Sequence, residues 1–151
     1  KLEKGPDILI KKIIDISKLK DIHVLLGGWR RQYVIKELEK NKIKFTYLEL
    51  QTNDMINKMY NALDLYVVSS RCEGGPQSLF ESAYLKVPII TTNVGQSKLL
   101  ISDYCTYKED QTIDLMLLDN AKKYTCKNYE NVLKFKLNNH VNIYDDFMES
   151  I

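Results

Sequence analysis

Glu73 and Glu81 stand eight positions apart in the stretch Glu73-Gly-Gly-Pro-Gln-Ser-Leu-Phe-Glu81. Between them lie two glycines, a proline and a run that reads as the first turns of a helix. The apolar segment Leu65-Tyr-Val-Val-Ser69 just before them has the composition of a strand. A strand, a glycine turn and a helix N-terminus make an anion site, because the first N–H groups of a helix have no partner within it. A carboxylate on each side can accept hydrogen bonds from hydroxyl groups. Phosphate beside sugar hydroxyls is the chemistry of a sugar nucleotide. Gly74 and Gly75 let the backbone approach a ligand closely. Pro76, near the first helical position, gives up an N–H that the helix does not use there. Glu81 falls on the turn after Ser78 and can reach back toward the helix start. Each charged hydrogen bond that it accepts from a ribose diol is worth roughly 1.5–3 kcal/mol.

The elements that must position these residues follow from the apolar pattern. Leu9, Ile13, Ile16 and Leu19 recur at helical spacing from Pro6 to Leu19. Ile22 to Leu26 is a compact strand ending in Gly27-Gly28, and Trp29 to Asn41 reads as a helix. Phe45 to Leu48 is a second strand. Asp54 can cap a short helix carrying Met55, Ile56, Met59 and Tyr60. Leu65 to Ser69 is a third strand, Pro76 to Leu85 a helix, and Pro88 to Thr92 a fourth strand. Beyond Gly95 the pattern weakens to a short edge strand within Tyr104 to Tyr107 and one or two helices over residues 112–137. An amphipathic helix over Asn139 to Ile151, begun by His140, closes the chain.

Strands alternating with helices at this spacing predict an α/β fold, a Rossmann-like parallel sheet with helices on both faces. Ligands of such sheets bind at the carboxyl ends of the strands. Gly27-Gly28, Ser69 to Gly75 and Asn93 to Gly95 all fall at those ends, so three loops are expected to converge on one ligand.

At 151 residues the chain has the size of one domain. A net charge of +2 gives no basic stripe for nucleic acid or an anionic membrane. The ten tyrosines are scattered and read as half-buried packing residues. Cys72, Cys105 and Cys126 are odd in number, with no Cys-x-x-Cys spacing, and read as free thiols. His23 reads as a sheet residue. Neither it nor His140 has metal-ligand spacing. Trp29, Arg30 and Arg31 offer either a second contact to a phosphate or acceptor, or simply a solvated helix start.

The Glu73 to Glu81 stretch resembles the donor-binding half of retaining GT-B-fold glycosyltransferases, of the group whose Glu-x7-Glu motif is often written Glu-Gly-x-Pro-x-Ser-x-x-Glu. It matches that form at every fixed position. The resemblance runs without gaps from Phe45 to Gly95, through Tyr47-Leu48, Tyr60, Ala62, Asp64, Ser70 and Pro88. Lys4-Gly5-Pro6-Asp7 is similar to the Lys-Gly-x-Asp that follows the first strand of the domain in that group. Two positions depart from the pattern. Glu49 stands where the group has Gly in a loop that frames the base, and Gln96-Ser-Lys-Leu99 replaces the Pro-Glu that follows the last glycine.

The resemblance implies one half of a GT-B fold over residues 1–151. This half would be a single donor domain lacking its first strand and the N-terminal acceptor domain. It implies hexosyl transfer, with retention, from a UDP- or GDP-linked sugar to a glycan or lipid acceptor held by that other domain. Glu73 would be catalytic, positioning the transferred sugar. Gly74, Gly75, Pro76, Gln77 and Ser78 would hold the donor phosphate and hexose, Glu81 the ribose, and Lys4 the diphosphate. No cofactor and no metal is implied, since a cation and a helix dipole can stabilise the departing diphosphate. The expected location is the cytoplasm, with the cytoplasmic face of a membrane as the second place. The rival expectations are a non-catalytic sugar-nucleotide-binding or scaffold domain of the same fold, and a GT-B-like epimerase or phosphorylase.

Overall fold

The computed structural model describes residues 2–49, 51–75 and 77–135. Its elements are α1 (Pro6–Leu19), β1 (His23–Gly27), α2 (Gln32–Lys40), β2 (Lys44–Leu48), α3 (Asn53–Asn61), β3 (Tyr66–Val68), α4 (Gln77–Tyr84), β4 (Ile89–Thr92), α5 (Ser97–Leu100), β5 (Thr106–Tyr107), α6 (Leu115–Lys123) and α7 (Thr125–Leu133). Short 3₁₀ turns occupy Leu2–Lys4 and Asp103–Cys105. Every strand pairing is parallel. Among the described residues the sheet comes in two pieces, β1-β2 and β3-β4-β5. His23 pairs with Lys44 in the first, and Tyr66 with Ile89 and Thr91 with Thr106 in the second.

β4 is the centre of the larger piece, and all four of its residues are buried. Successive side chains of a strand point to opposite faces. Ile90 accordingly packs with Ile8 and Ile16 of α1 and Leu117 and Leu118 of α6. Ile89 packs with Leu79 and Ala83 of α4, Leu100 of α5 and Val132 of α7. Helices therefore cover both faces, as the alternation of apolar strands and amphipathic helices predicts. α1 spans the two sheet pieces. Its Ile10 and Ile13 sit in a third cluster with Leu26, Val34 and Leu38. Of the apolar residues at helical spacing, Ile13 and Ile16 are buried, Leu9 is half-buried and Leu19 is exposed.

Several local expectations change. α2 begins at Gln32 rather than Trp29, because residues 28–30 form a turn in which Arg30 has φ 59°. Thr52, not Asp54, caps α3: its hydroxyl accepts from the Met55 amide at 3.3 Å, and Asp54 pairs with Lys58 at 2.6 Å. The edge strand shortens to Thr106–Tyr107, and of the stretch expected to hold one or two helices the described residues, 112–135, hold two, α6 and α7. α5 carries no sequence expectation. The helix expected over Asn139 to Ile151 lies outside the described residues.

Lys12 is a charged residue buried on the core side of α1, at 1% exposure. Its ammonium donates to the Glu109 carbonyl at 3.0 Å and to the Gln111 carbonyl, and lies 5.2 Å from the centre of the Tyr107 ring. Burial pushes its pKa down from the usual lysine value. Lys12→Met keeps the aliphatic volume but strands two carbonyls, so stability should fall by about 1–3 kcal/mol. Urea unfolding of the two proteins checks this.

Candidate active site at the strand ends

The site begins with one loop stitched along another. The Glu3 carbonyl accepts from the Arg71 amide at 2.7 Å and the Cys72 amide at 3.3 Å. The Ser69 hydroxyl donates to the Lys4 carbonyl at 3.2 Å. Gly5 follows with φ 55°, and a Cβ built there would overlap the Ser69 carbonyl oxygen. Only glycine combines that left-handed turn with so close an approach. Pro6 then opens α1 at the position where a missing N–H costs nothing. The turn delivers the Lys4 ammonium onto the Glu73 carboxylate, and the two form an ion pair. Glu73 is the more enclosed partner, with 15% of its side chain exposed against 60% for Lys4.

Glu73 has further support. Ser70 donates to its carboxylate at 3.3 Å, and Thr92 at the end of β4 donates to the Ser70 carbonyl at 2.6 Å. The next loop closes over it. Gly95 has φ 51°, and a Cβ there would overlap the Glu73 carbonyl oxygen. The Gln96 amide donates to the Gly74 carbonyl at 3.1 Å. The Gln96 side-chain oxygen lies 2.6 Å from where a Cβ on Gly75 would stand. The loops holding Glu73 and Gly95 thus converge as expected, joined by Leu2–Lys4. Gly27 and Gly28 make other contacts: Gly28 donates to the Leu48 carbonyl at 3.1 Å, and the Arg31 guanidinium donates to the Gly27 carbonyl at 2.9 Å. Arg30 lies over the ring of Trp29, which is 63% exposed.

Glu81 lies on α4, one turn beyond Gln77. The Gln77 amide donates to its carboxylate at 2.8 Å, so Glu81 does reach back to the helix start. Beside it is a depression of about 400 Å³ lined by Asn53, Asn57, Tyr60, Gln77, Glu81 and Tyr84, between α3 and α4. The Tyr60 hydroxyl donates to the Ser78 carbonyl at 3.4 Å. Burial first, then the neighbouring Tyr66 and Glu81, push the Tyr60 phenol well above its usual range, so it stays a donor. Ser78 is half-buried, Gly74 and Gly75 are exposed, and Pro76 lies outside the described residues.

Arg71 carries no expectation from the sequence. Its guanidinium forks onto Asp7 at 2.8 and 2.6 Å, and onto Glu109 from Nε at 3.2 Å and from Nη2. A charged residue inside the Ser70 to Glu73 loop was the available signal, but its partners lie 64 and 38 positions away. The Arg71 hydrogen bonds hold the Asp7 carboxyl down at about 2, from 3.8. Among the described residues no group of His, Cys, Asp and Glu is arranged to hold a metal, and no helix is long and apolar enough to cross a membrane.

The described residues thus form a parallel α/β domain in which a glycine loop after β3 links Glu73 to Glu81 on α4. The sequence profile of one family matches residues 1–114, and the chain belongs to that family, the glycosyl transferases group 1. No curated protein matches the chain. Among solved structures, the catalytic domain of cholesterol-alpha-glucosyltransferase from Helicobacter pylori superposes with a TM-score of 0.72 at 18% identity, over 90% of this chain and 93% of that one. A glycosyltransferase from Rickettsia africae gives a TM-score of 0.75 at 20% identity, over 99% of this chain but 46% of its own length. The pneumococcal O-GlcNAc transferase in complex with UDP and GlcNAc gives 0.70 at 14% identity, over 99% of this chain and 34% of its own. These likenesses establish the fold as one half of a GT-B architecture.

Two tests follow. Gly95→Ala meets both an unfavourable φ and the Glu73 carbonyl, so it should cost about 1 kcal/mol or more, read by thermal unfolding. The depressed Asp7 pKa means its ion pair contributes fully above pH 4 and is lost as pH falls toward 2. The stability gap between wild type and Asp7→Asn should therefore be constant above pH 5 and close as pH falls below about 2. Acid titration of both proteins reads it.

Proposed function

We propose that this domain binds the donor of a retaining hexosyltransferase, a UDP- or GDP-linked hexose. The observation that carries the reading is the Lys4–Glu73 pair at the mouth of the Gly74-Gly75 loop, with Glu81 beyond it on α4. Each group has a partner that a donor would replace. Lys4 moves from Glu73 to the diphosphate. Glu73, freed, accepts from hydroxyls of the hexose and fixes its reacting carbon. The Gln77 amide gives up Glu81 to the ribose diol. The amides at the start of α4 and the Lys4 charge meet the negative charge that grows on the diphosphate as the bond to the sugar breaks. The pneumococcal neighbour's complex with UDP and GlcNAc supports a nucleotide-linked sugar as the donor. The acceptor, a glycan or lipid, would bind a second domain across the cleft.

The test uses the full-length protein and ligand-observed NMR with UDP, GDP and ADP, and with their hexose conjugates. Glu81→Ala should weaken the nucleoside diphosphate that binds by about tenfold or more. Glu73→Gln should leave that affinity nearly unchanged while turnover falls by about 10²-fold, because it meets the hexose and not the nucleotide. The transferred sugar should keep its anomeric configuration. Binding of none of the three nucleotides by the folded wild type would reject the reading.

A further inference from the structure

Arg71 stands two residues before Glu73, and both its backbone and its side chain are committed. The amide holds the Glu3 carbonyl at 2.7 Å, and the guanidinium holds Asp7 on α1 and Glu109 after β5. Three segments remote in sequence therefore meet on one residue. They are the segment that carries Lys4, the loop that carries Glu73, and the loop leaving β5, which Lys12 ties back to α1. We propose that Arg71 is a positioning residue for glycosyl transfer, a clamp that fixes the register between the Lys4 turn and the Glu73 loop. The proposal rests on the donor reading above.

The geometry separates this role from general stabilisation. The clamp lies near the surface, with 30% of the Arg71 side chain, 46% of Asp7 and 53% of Glu109 exposed. Ion pairs that wet add little to global stability. Their directional effect is large. A planar fork meets a carboxylate with paired hydrogen bonds in fixed directions, which an ammonium cannot do. Without the guanidinium, Asp7 and Glu109 lose the cation they share, and α1, whose approach carries Lys4, loses its side-chain tie to the loop holding Glu73. A displacement of an ångström at reacting groups costs on the order of 10²-fold in rate. The nucleotide end of the site, built on Gln77, Ser78 and Glu81, is anchored by α4 and Tyr60 rather than by the clamp.

The experiment measures steady-state kinetics of the full-length protein with the nucleotide hexose that the wild type turns over, drawn from UDP-glucose, UDP-N-acetylglucosamine and GDP-mannose. Alongside it run nucleoside diphosphate affinity and Tm. Arg71→Ala should lower kcat by about 10²-fold, leave Kd for the nucleoside diphosphate within about threefold, and move Tm by only a few degrees. Arg71→Lys, which keeps the charge and loses the fork, should recover only part of kcat. Asp7→Asn should lower kcat in the same sense and to a smaller degree. If Arg71→Ala does not fold, the Lys and Asn variants decide. Unchanged kcat in the variants overturns the proposal, and so does a parallel loss of kcat, affinity and Tm that Lys restores. A folded wild type that binds no nucleoside diphosphate and turns over no donor overturns the donor reading itself.

Discussion

The hydrogen bonds between the Glu3–Gly5 turn and the Ser69–Cys72 loop are the constraint on which the site depends. They join the approach to α1 with the loop that leaves β3, two segments more than 60 positions apart. Backbone amides and carbonyls make most of these contacts and align the two strips, while the Arg71 guanidinium ties α1 and the loop after β5 to them. Side chains then hang from a fixed frame: Lys4 from one strip, Ser70 and Glu73 from the other. Gly5 is required because the two strips run too close for a Cβ.

The core underneath serves the same end. β4 is buried throughout and carries Ile89 and Ile90 into opposite clusters. Its carboxyl end supplies Thr92, whose hydroxyl supports the Ser70 carbonyl. Tyr107 on β5 donates to the Val68 carbonyl at 2.7 Å, so the ends of β3 and β5 are linked across β4. Burial pushes the Tyr107 phenol far above its usual range, so this donor stays protonated. Packing in the interior thus sets the height at which each loop leaves the sheet.

The sequence made the glutamates and their glycine loop legible because both motif and local order lie within nine consecutive residues. The strand and helix alternation was legible for the same reason, since its periods are short. What escaped depends on long separations or on competition between neighbours. Arg71 finds Asp7 and Glu109 only once the sheet has formed. Thr52 and Asp54 are both good helix caps; Thr52 takes the role, and Asp54 is occupied by Lys58 one turn on. The Trp29 to Arg31 segment looks helical by composition, yet Arg31 is drawn back to the Gly27 carbonyl and the helix starts after it. The Gln96 loop departs from the group's pattern, and only folding places it against Gly75.

The ion pairs around Glu73 leave one carboxylate in excess. Lys4 and Arg71 face Glu73, Asp7 and Glu109, two cations against three carboxylates. A diphosphate arriving from solution therefore meets no positive field reaching beyond a Debye length, which is about 8 Å at physiological ionic strength. On the proposed donor reading, its capture gains nothing from electrostatic steering by these groups. Selection would then come after contact, when Lys4 exchanges Glu73 for the diphosphate as proposed. Discrimination among anions then rests on dwell time rather than on arrival rate.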